Sequence, residues 1–282
     1  MAILRAKPLF SSFDYEHIKH NLLPAESISY RNRPENHVKT QTLTKEIENV
    51  LEQLRMGKRT FAQFTILKDR EFNYKEFSGV IILKFNNYPF VLKMFIENPY
   101  SFLHPEQKGF RHGCMAKMAG GLNRYLAGLK RIQNLENARE IIKNMEDLPI
   151  ELDFPRKWFW LPNNVRWFDL NGTHFKKSEK TFHVRLPEIY AIVADEIICN
   201  KKVSAIKKMY GKRIFKLCQK VKFNIDPNMK NFRLEDGTEK LVLIDTEHFP
   251  SVLGFKEEIK ADNYFALHIK MGIKAIYDCW LS

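Results

Sequence analysis

The sequence lacks the features that mark membrane-spanning, secreted and zinc-binding proteins. No apolar run along the 282 residues approaches the roughly 18 positions that a membrane helix needs, so we expect no membrane span. The residues after Met1 contain no apolar core of the kind found in signal peptides. The four cysteines stand far apart and form no Cys-x-x-Cys pair. We therefore expect a cytoplasmic protein whose thiols are reduced.

Apolar and basic residues are abundant. Apolar side chains make up 44% of the sequence and aromatic ones 13%, which predicts a folded chain with a substantial core. The formal net charge of +13 favours an anionic partner such as a nucleotide, a nucleic acid or a phosphorylated substrate. One alternative is a nucleic-acid-binding protein, with basic side chains on phosphates and aromatic rings on bases. The usual RNP, zinc-finger and helix-turn-helix signatures of such proteins are missing.

The first part of the chain predicts an arm, a helix and a set of strands. Residues 1–41 are polar, and we expect a loosely ordered arm. From Thr44, apolar residues at helical spacing predict an amphipathic helix. Lys93 stands in a later apolar run, so its ammonium either snorkels from an edge strand or is a functional cation. That run is the third of three that are rich in branched and aromatic side chains and predict strands, at residues 61–68, 77–85 and 88–96.

The second part predicts two helices and a buried strand. Asn134 precedes an apolar periodicity and is a suitable N-cap for a helix. Ile189 to Val193 form an uninterrupted apolar run that is typical of a buried strand. Residues 203–221 combine an apolar stripe with a dense basic face, which predicts a helix.

The most informative stretch follows that last helix. Asp226 lies in a polar loop, and Asn231 follows it by five positions. A predicted hairpin that turns at Asp236-Gly237 then ends in the acidic residues Asp245 and Glu247. A loop carboxylate can orient a hydroxyl and accept its proton, while amide and carboxylate oxygens are ligands that Mg²⁺ prefers.

This stretch resembles the catalytic and metal-binding segments of the protein-kinase-like superfamily. In that superfamily an Asp is followed five positions later by an Asn, then by a hairpin and a metal-binding Asp. The ending Leu-Ile-Asp-Thr-Glu is closest to that of aminoglycoside phosphotransferases and related small-molecule kinases. The resemblance implies an α+β, two-lobed kinase-like fold, with an antiparallel β-sheet N-lobe and a short, mainly helical C-lobe. The corresponding ranges are the arm (1–41), a nucleotide-binding N-lobe (42–194) and a C-lobe (195–282).

The resemblance also implies roles for individual residues. Asp226 would be the catalytic base, and Lys93 would contact the α- and β-phosphates of ATP. Glu106 is the expected partner of Lys93, with Glu136 as a fallback. The Mg²⁺ ligands would be Asn231 and Asp245, with Glu247 as an outer-shell or second-metal acid. The backbone that binds adenine would lie at Val193, Ala194, Asp195 and Glu196.

The predicted function is therefore phosphoryl transfer from Mg·ATP to a hydroxyl on a protein or a small molecule. The basic charge favours an anionic acceptor. The connection between the first two strands departs from the superfamily, because it contains only Gly79 where a glycine-rich loop would cover the phosphates. An alternative is thus a pseudokinase, which binds nucleotide or a partner without transfer.

Overall fold

The computed structural model describes residues 4–6, 15–96, 128–174, 181–221, 225–246, 260–263, 265–267, 269, 270 and 273. The helices in these ranges are α1 (Tyr15–His20), α2 (Thr40–Arg55), α3 (Arg131–Lys143) and α4 (Val203–Lys220), and a single 3-10 turn spans Met229–Asn231. The strands are β1 (Leu4–Ala6), β2 (Ser27–Tyr30), β3 (Arg33–Lys39), β4 (Phe64–Asn73), β5 (Ser78–Phe85), β6 (Phe90–Ile96), β7 (Lys157–Trp160), β8 (Trp167–His174), β9 (Thr181–Pro187), β10 (Ile189–Asp195), β11 (Phe232–Leu234) and β12 (Leu241–Leu243).

A five-stranded sheet forms the centre of the fold. Its order is β4-β5-β6-β10-β7, and every neighbouring pair is antiparallel. The three predicted strands between residues 61 and 96 are observed as β4, β5 and β6, and the predicted apolar strand is β10. β10 lies between β6 and β7 and is buried from Ile189 to Val193, which explains its uninterrupted apolar sequence. A separate sheet joins β1, β8 and β9.

Alternation along β6 divides its side chains between two cores. Leu92 and Met94 are buried on the face of the sheet that α2 covers. Phe95 is buried on the opposite face, together with apolar residues of α3 and α4. Because successive residues of a strand point to opposite faces, Lys93 lies on the same face as Phe95. The sheet therefore directs this lysine towards α3 and the segment that follows α4.

Part of the predicted arm is a hairpin that packs on the fold. β2 and β3 pair in antiparallel register, and Ile28 and Val38 are buried in the core beside α2. In the turn between the two strands, Arg31 donates from Nε to Glu235 Oε1 at 3.0 Å. The same guanidinium lies 2.5 Å from the Asp153 carboxylate. The hairpin is thereby tied to the segment that precedes β7 and to the end of β11.

One predicted helix boundary is wrong. α3 begins at Arg131, whereas the sequence suggested Asn134 as its N-cap. Arg131 and Ile132 are both buried, so the first turn of the helix belongs to its packed face. The Asn134 side chain is instead inside the helix and donates from Nδ2 to the Thr246 carbonyl at 3.1 Å.

These elements confirm the predicted α+β class with antiparallel sheets. The kinase-like two-lobed arrangement and the domain limits at residues 41 and 194 stay predictions. Among the described residues, no helix is both long and apolar enough to cross a membrane.

Candidate functional site

The loop after α4 holds Asp226 in a fixed orientation. Its Oδ1 accepts a hydrogen bond from the Asn228 backbone N–H at 3.0 Å, and its Oδ2 accepts one from Asn231 Nδ2 at 2.9 Å. Asn228 in turn caps the 3-10 turn by accepting from the Lys230 N–H at 3.1 Å. Aspartate and asparagine stabilise tight loops in this way because their short side chains reach the backbone two residues on. Asp226 is only partly buried, so the fixed carboxylate can still meet a ligand.

The short hairpin of β11 and β12 places Asn231 beside the Asp245 segment. Phe232 pairs with Leu243, and the Ile244 N–H donates to the Asn231 carbonyl at 2.8 Å. The turn contains Gly237 at φ +82°, a conformation that glycine adopts without strain. Asn231 directly precedes β11, and Asp245 follows β12 by two positions. The hairpin therefore brings the two residues close together along the backbone, as the sequence predicted.

The side chain of Lys93 lies close to Asp245. Its Nζ lies 3.7 Å from Asp245 Oδ2 and 5.7 Å from the centre of the Phe95 ring. Lys93 is on an inner strand, β6, between β5 and β10, so it does not snorkel from a sheet edge. The lysine that the sequence marked as unusual is thus held on a rigid strand beside a candidate metal ligand.

Arg131 is a site residue that the sequence reasoning missed. It is the first residue of α3, its side chain is only 3% exposed, and its guanidinium bonds the Asp245 carboxylate. A cation at a helix N-terminus is unfavourable because it meets the positive end of the helix dipole. Asp245 offsets this cost. The available signal was spacing, since Arg131 shares a helical face with buried Leu135 and Ala138.

Lys157 is the second missed residue. Its Nζ is buried and donates to the Ile244 carbonyl at 2.9 Å and to Thr246 Oγ1 at 3.2 Å. Burial lowers the pKa of Lys157 to about 7; Asp245 opposes this shift, whereas Arg131 and Lys93 add to it. The available signal was alternation along β7, which puts Lys157 on the same face as the buried Phe159.

The residues on both sides of Asp245 form hydrogen bonds to α3 and β7. Thr246 Oγ1 donates to the Arg131 carbonyl at 2.5 Å, and Lys157 binds the carbonyl of Ile244. Two cations, Lys93 and Arg131, and the carboxylate of Asp245 therefore meet here, beside the buried amine of Lys157. We call these four residues the Asp245 cluster. With two cations for one carboxylate, the cluster has the polarity that suits an anionic, oxygen-rich ligand such as a phosphate.

The residues predicted to bind adenine are at the end of β10 and beyond it. Val193 and Ala194 pair with β6 on one side and β7 on the other. The N–H groups of Asp195 and Glu196 donate to the carbonyls of Arg156 and Pro89. The Asp195 side chain is bound by Arg156 at 2.8 and 3.0 Å. In this structure these backbone groups form hydrogen bonds to neighbouring strands and loops. Adenine binding at them stays a prediction.

Of the three glutamates predicted to pair with Lys93 or to assist metal binding, the structure describes one. Glu106 and Glu247 lie outside the described residues. The fallback residue, Glu136, is on α3, where its carboxylate is 3.7 Å from His17 Nδ1. The roles of these three residues stay predictions.

The side chains of Asn231 and Asp245 are the expected magnesium ligands, although the Asp245 carboxylate is already bonded to Arg131 and lies 3.7 Å from Lys93 Nζ. Both side chains offer hard oxygen atoms, and Mg²⁺ in phosphoryl-transfer sites needs only one or two protein carboxylates besides phosphate oxygens and water. No cluster of three or more His, Cys, Asp or Glu side chains suited to a metal occurs among the described residues. Magnesium binding by Asn231 and Asp245 stays a prediction.

Comparison with known proteins found no similar protein. No family model, no curated protein and no solved structure matches the chain.

Proposed function

We propose that the protein is an ATP- and Mg²⁺-dependent phosphotransferase that transfers the γ-phosphoryl group to a hydroxyl acceptor. The observation that supports this most is the meeting of residues that the sequence singled out separately. Lys93 Nζ is 3.7 Å from Asp245 Oδ2, and Asn231 binds both Ile244 and Asp226. Lys93 is also on the third strand of the central sheet in chain order, which is where kinases carry their phosphate-binding lysine.

Each side chain has a role in this proposal. Lys93 binds the phosphates that precede the transferred group, and Arg131, which is buried, adds a second cation nearby. Asp226 accepts a hydrogen bond from the acceptor hydroxyl and takes its proton as the new bond to phosphorus forms. Asn231 and Asp245 would hold Mg²⁺, which supplies charge neutralisation on the phosphates when bound. The partly buried surroundings strengthen these contacts because the local dielectric constant is lower than in water.

A pseudokinase is the second candidate, and a specific contact favours it. The Asp245 carboxylate is bonded to Arg131 and lies near Lys93, so a metal ion would have to compete with two fixed cations. The connection between β4 and β5 is also a turn in which Asn73 Oδ1 accepts a hydrogen bond from the Lys75 N–H at 3.0 Å. It is not a glycine-rich loop. Either feature could leave nucleotide binding intact while preventing transfer.

ATP turnover in the presence of Mg²⁺ tests the proposal. Wild type should turn over ATP, while Asp226→Ala and Asp245→Asn should lose at least about 100-fold, the usual contribution of a catalytic base or a charge-stabilising group. Glu146→Gln, at an exposed carboxylate far from the loop in sequence, is the matched control and should retain wild-type turnover.

The remaining outcomes separate the candidates. Equal turnover in wild type and both variants would refute the catalytic assignment. Wild type that is thermally stabilised by Mg·ATP but shows no turnover would favour the pseudokinase.

A further inference from the structure

α4 and the loop that follows it form a groove next to the proposed catalytic loop. Its volume is about 840 Å³, which is within the usual range for ligand sites. The floor is apolar and includes Phe215, Pro227 and Met229. Pro227 lines the groove and directly follows Asp226 in the chain, so the groove lies next to the residue proposed to act as the base. We call this feature the α4 groove.

The rim of the α4 groove is strongly basic. Among the described residues that line it, Asp262 is the one acidic side chain, against five exposed lysines and arginines: Lys207, Lys212, Arg213, Lys216 and Lys230. Within the part of the chain that the structure describes, no ion pair neutralises any of these five. The charge of the rim therefore favours an anionic occupant.

The spacing of the basic residues on α4 lowers the stability of the helix. Lys208, Lys212, Lys216 and Lys220 are four positions apart, and like charges at this spacing each cost an isolated helix about 0.2–0.5 kcal/mol. An anionic ligand on the rim would remove part of the repulsion. The apolar floor would at the same time take an uncharged side chain of that ligand.

The length of the groove indicates what kind of anion fits. Val203 and Lys216 both line it, and a helix rises about 1.5 Å per residue, so they are roughly 20 Å apart along the axis. An extended peptide covers that distance in about six residues. Single-stranded nucleic acid usually stacks its bases on exposed aromatic rings, whereas Phe215, the only aromatic side chain among the described residues that line the groove, is half-buried. An acidic peptide with an apolar residue fits these properties better.

We propose that the α4 groove binds an acidic peptide segment of a protein acceptor and brings its hydroxyl-bearing residue towards Asp226. This inference rests on the proposed phosphotransferase function, because it names the class of acceptor for that reaction. The basic rim selects the acidic residues, and the floor of Phe215 and Met229 receives an apolar side chain.

Fluorescence anisotropy with a labelled acidic hexapeptide, containing one leucine and one serine, tests the inference. Wild type should bind this peptide and should not bind the same peptide with its acidic residues replaced by lysine. Lys216→Glu, on the rim, should weaken binding by roughly fivefold or more, as expected when one attractive surface pair becomes repulsive. The matched control is Lys58→Glu, at an exposed lysine in the loop after α2 that does not line the groove, and it should change affinity less than twofold.

The results that would overturn the inference are distinct from those that bear on turnover. Equal losses in Lys216→Glu and Lys58→Glu would show that only net charge matters, and would refute a site in the groove. Tighter binding of a six-nucleotide RNA than of the peptide, lost in Lys216→Glu, would assign the groove to nucleic acid and refute the peptide site. Peptide binding without ATP turnover by wild type would refute the proposed function alone, and turnover without peptide binding would refute the α4 groove proposal alone.

Discussion

Replacing Lys157 with methionine should flatten the pH dependence of the protein's stability. In the folded protein, burial lowers the pKa of Lys157 to about 7 from its ordinary 10.5. Between these two values the unfolded chain binds more protons than the folded protein does. The free energy of unfolding therefore rises as the pH rises through this window.

The size of the effect follows from the two pKa values. A single site of this kind adds roughly 1.5 kcal/mol to the free energy of unfolding between about pH 7 and 8.5, since each pKa unit corresponds to about 1.4 kcal/mol. Methionine has a similar length and carries no titratable proton, so Lys157→Met should show little of this gain. The variant also loses the bonds to the Ile244 carbonyl and Thr246 Oγ1, which should cost about 2 kcal/mol at the upper end of the window.

Urea unfolding followed by tryptophan fluorescence at both ends of the window measures this difference. The window stops near pH 8.5 because cysteines of the unfolded chain ionise above it, while burial raises the pKa of Cys218 in the folded protein and would lower stability there. Lys208→Met, at an exposed position, is the matched control and should keep the wild-type slope. The same slope in wild type and Lys157→Met would show that Lys157 is charged in the folded protein and would refute the reasoning.

Two further substitutions test the packing that positions the site. Glu235→Ala removes the 2%-exposed partner of Arg31 and should cost about 3 kcal/mol in urea unfolding, whereas Glu239→Ala, at an exposed carboxylate, should cost less than about 1 kcal/mol; similar losses would contradict a buried pair. Gly79→Ala places a Cβ 2.0 Å from the Glu71 carbonyl oxygen at φ +115° and should cost more than about 2 kcal/mol, while Gly57→Ala, at φ +74° with open space, should cost about 1 kcal/mol; equal costs would show that β4 moves away freely.

The local parts of the candidate site could be predicted from the sequence. Asp226 and Asn231 are five positions apart, and their contact closes within one loop. A short hairpin, whose turn residues can be recognised in the sequence, joins Asn231 to Ile244, the residue before Asp245. Lys93 stood out because a charged residue inside an apolar strand has few structural explanations.

The rest of the Asp245 cluster depends on contacts between distant segments. Arg131 begins a helix and Lys157 begins a strand, positions where exposed basic residues are common. Both become buried only because the segment around Asp245 packs against α3 and β7, and no local pattern fixes that packing. The start of α3 was misplaced for the same reason, since Arg131 looks like a solvent-facing residue until its partner is known. Periodicity with Leu135 and Phe159 was the one signal available.

The proposed role of Asp245 can be tested directly by calorimetric titration of ATP, with Mg²⁺ and with EDTA, into wild type and Asp245→Asn. Wild type should bind ATP at least about tenfold more tightly with Mg²⁺, a difference of about 1.4 kcal/mol. Asp245→Asn should lose this Mg²⁺-dependent gain because its amide lacks the charge that attracts the ion. ATP binding by wild type that is absent, or that is unaffected by Mg²⁺, would contradict the assignment of the Asp245 cluster as a nucleotide-phosphate site.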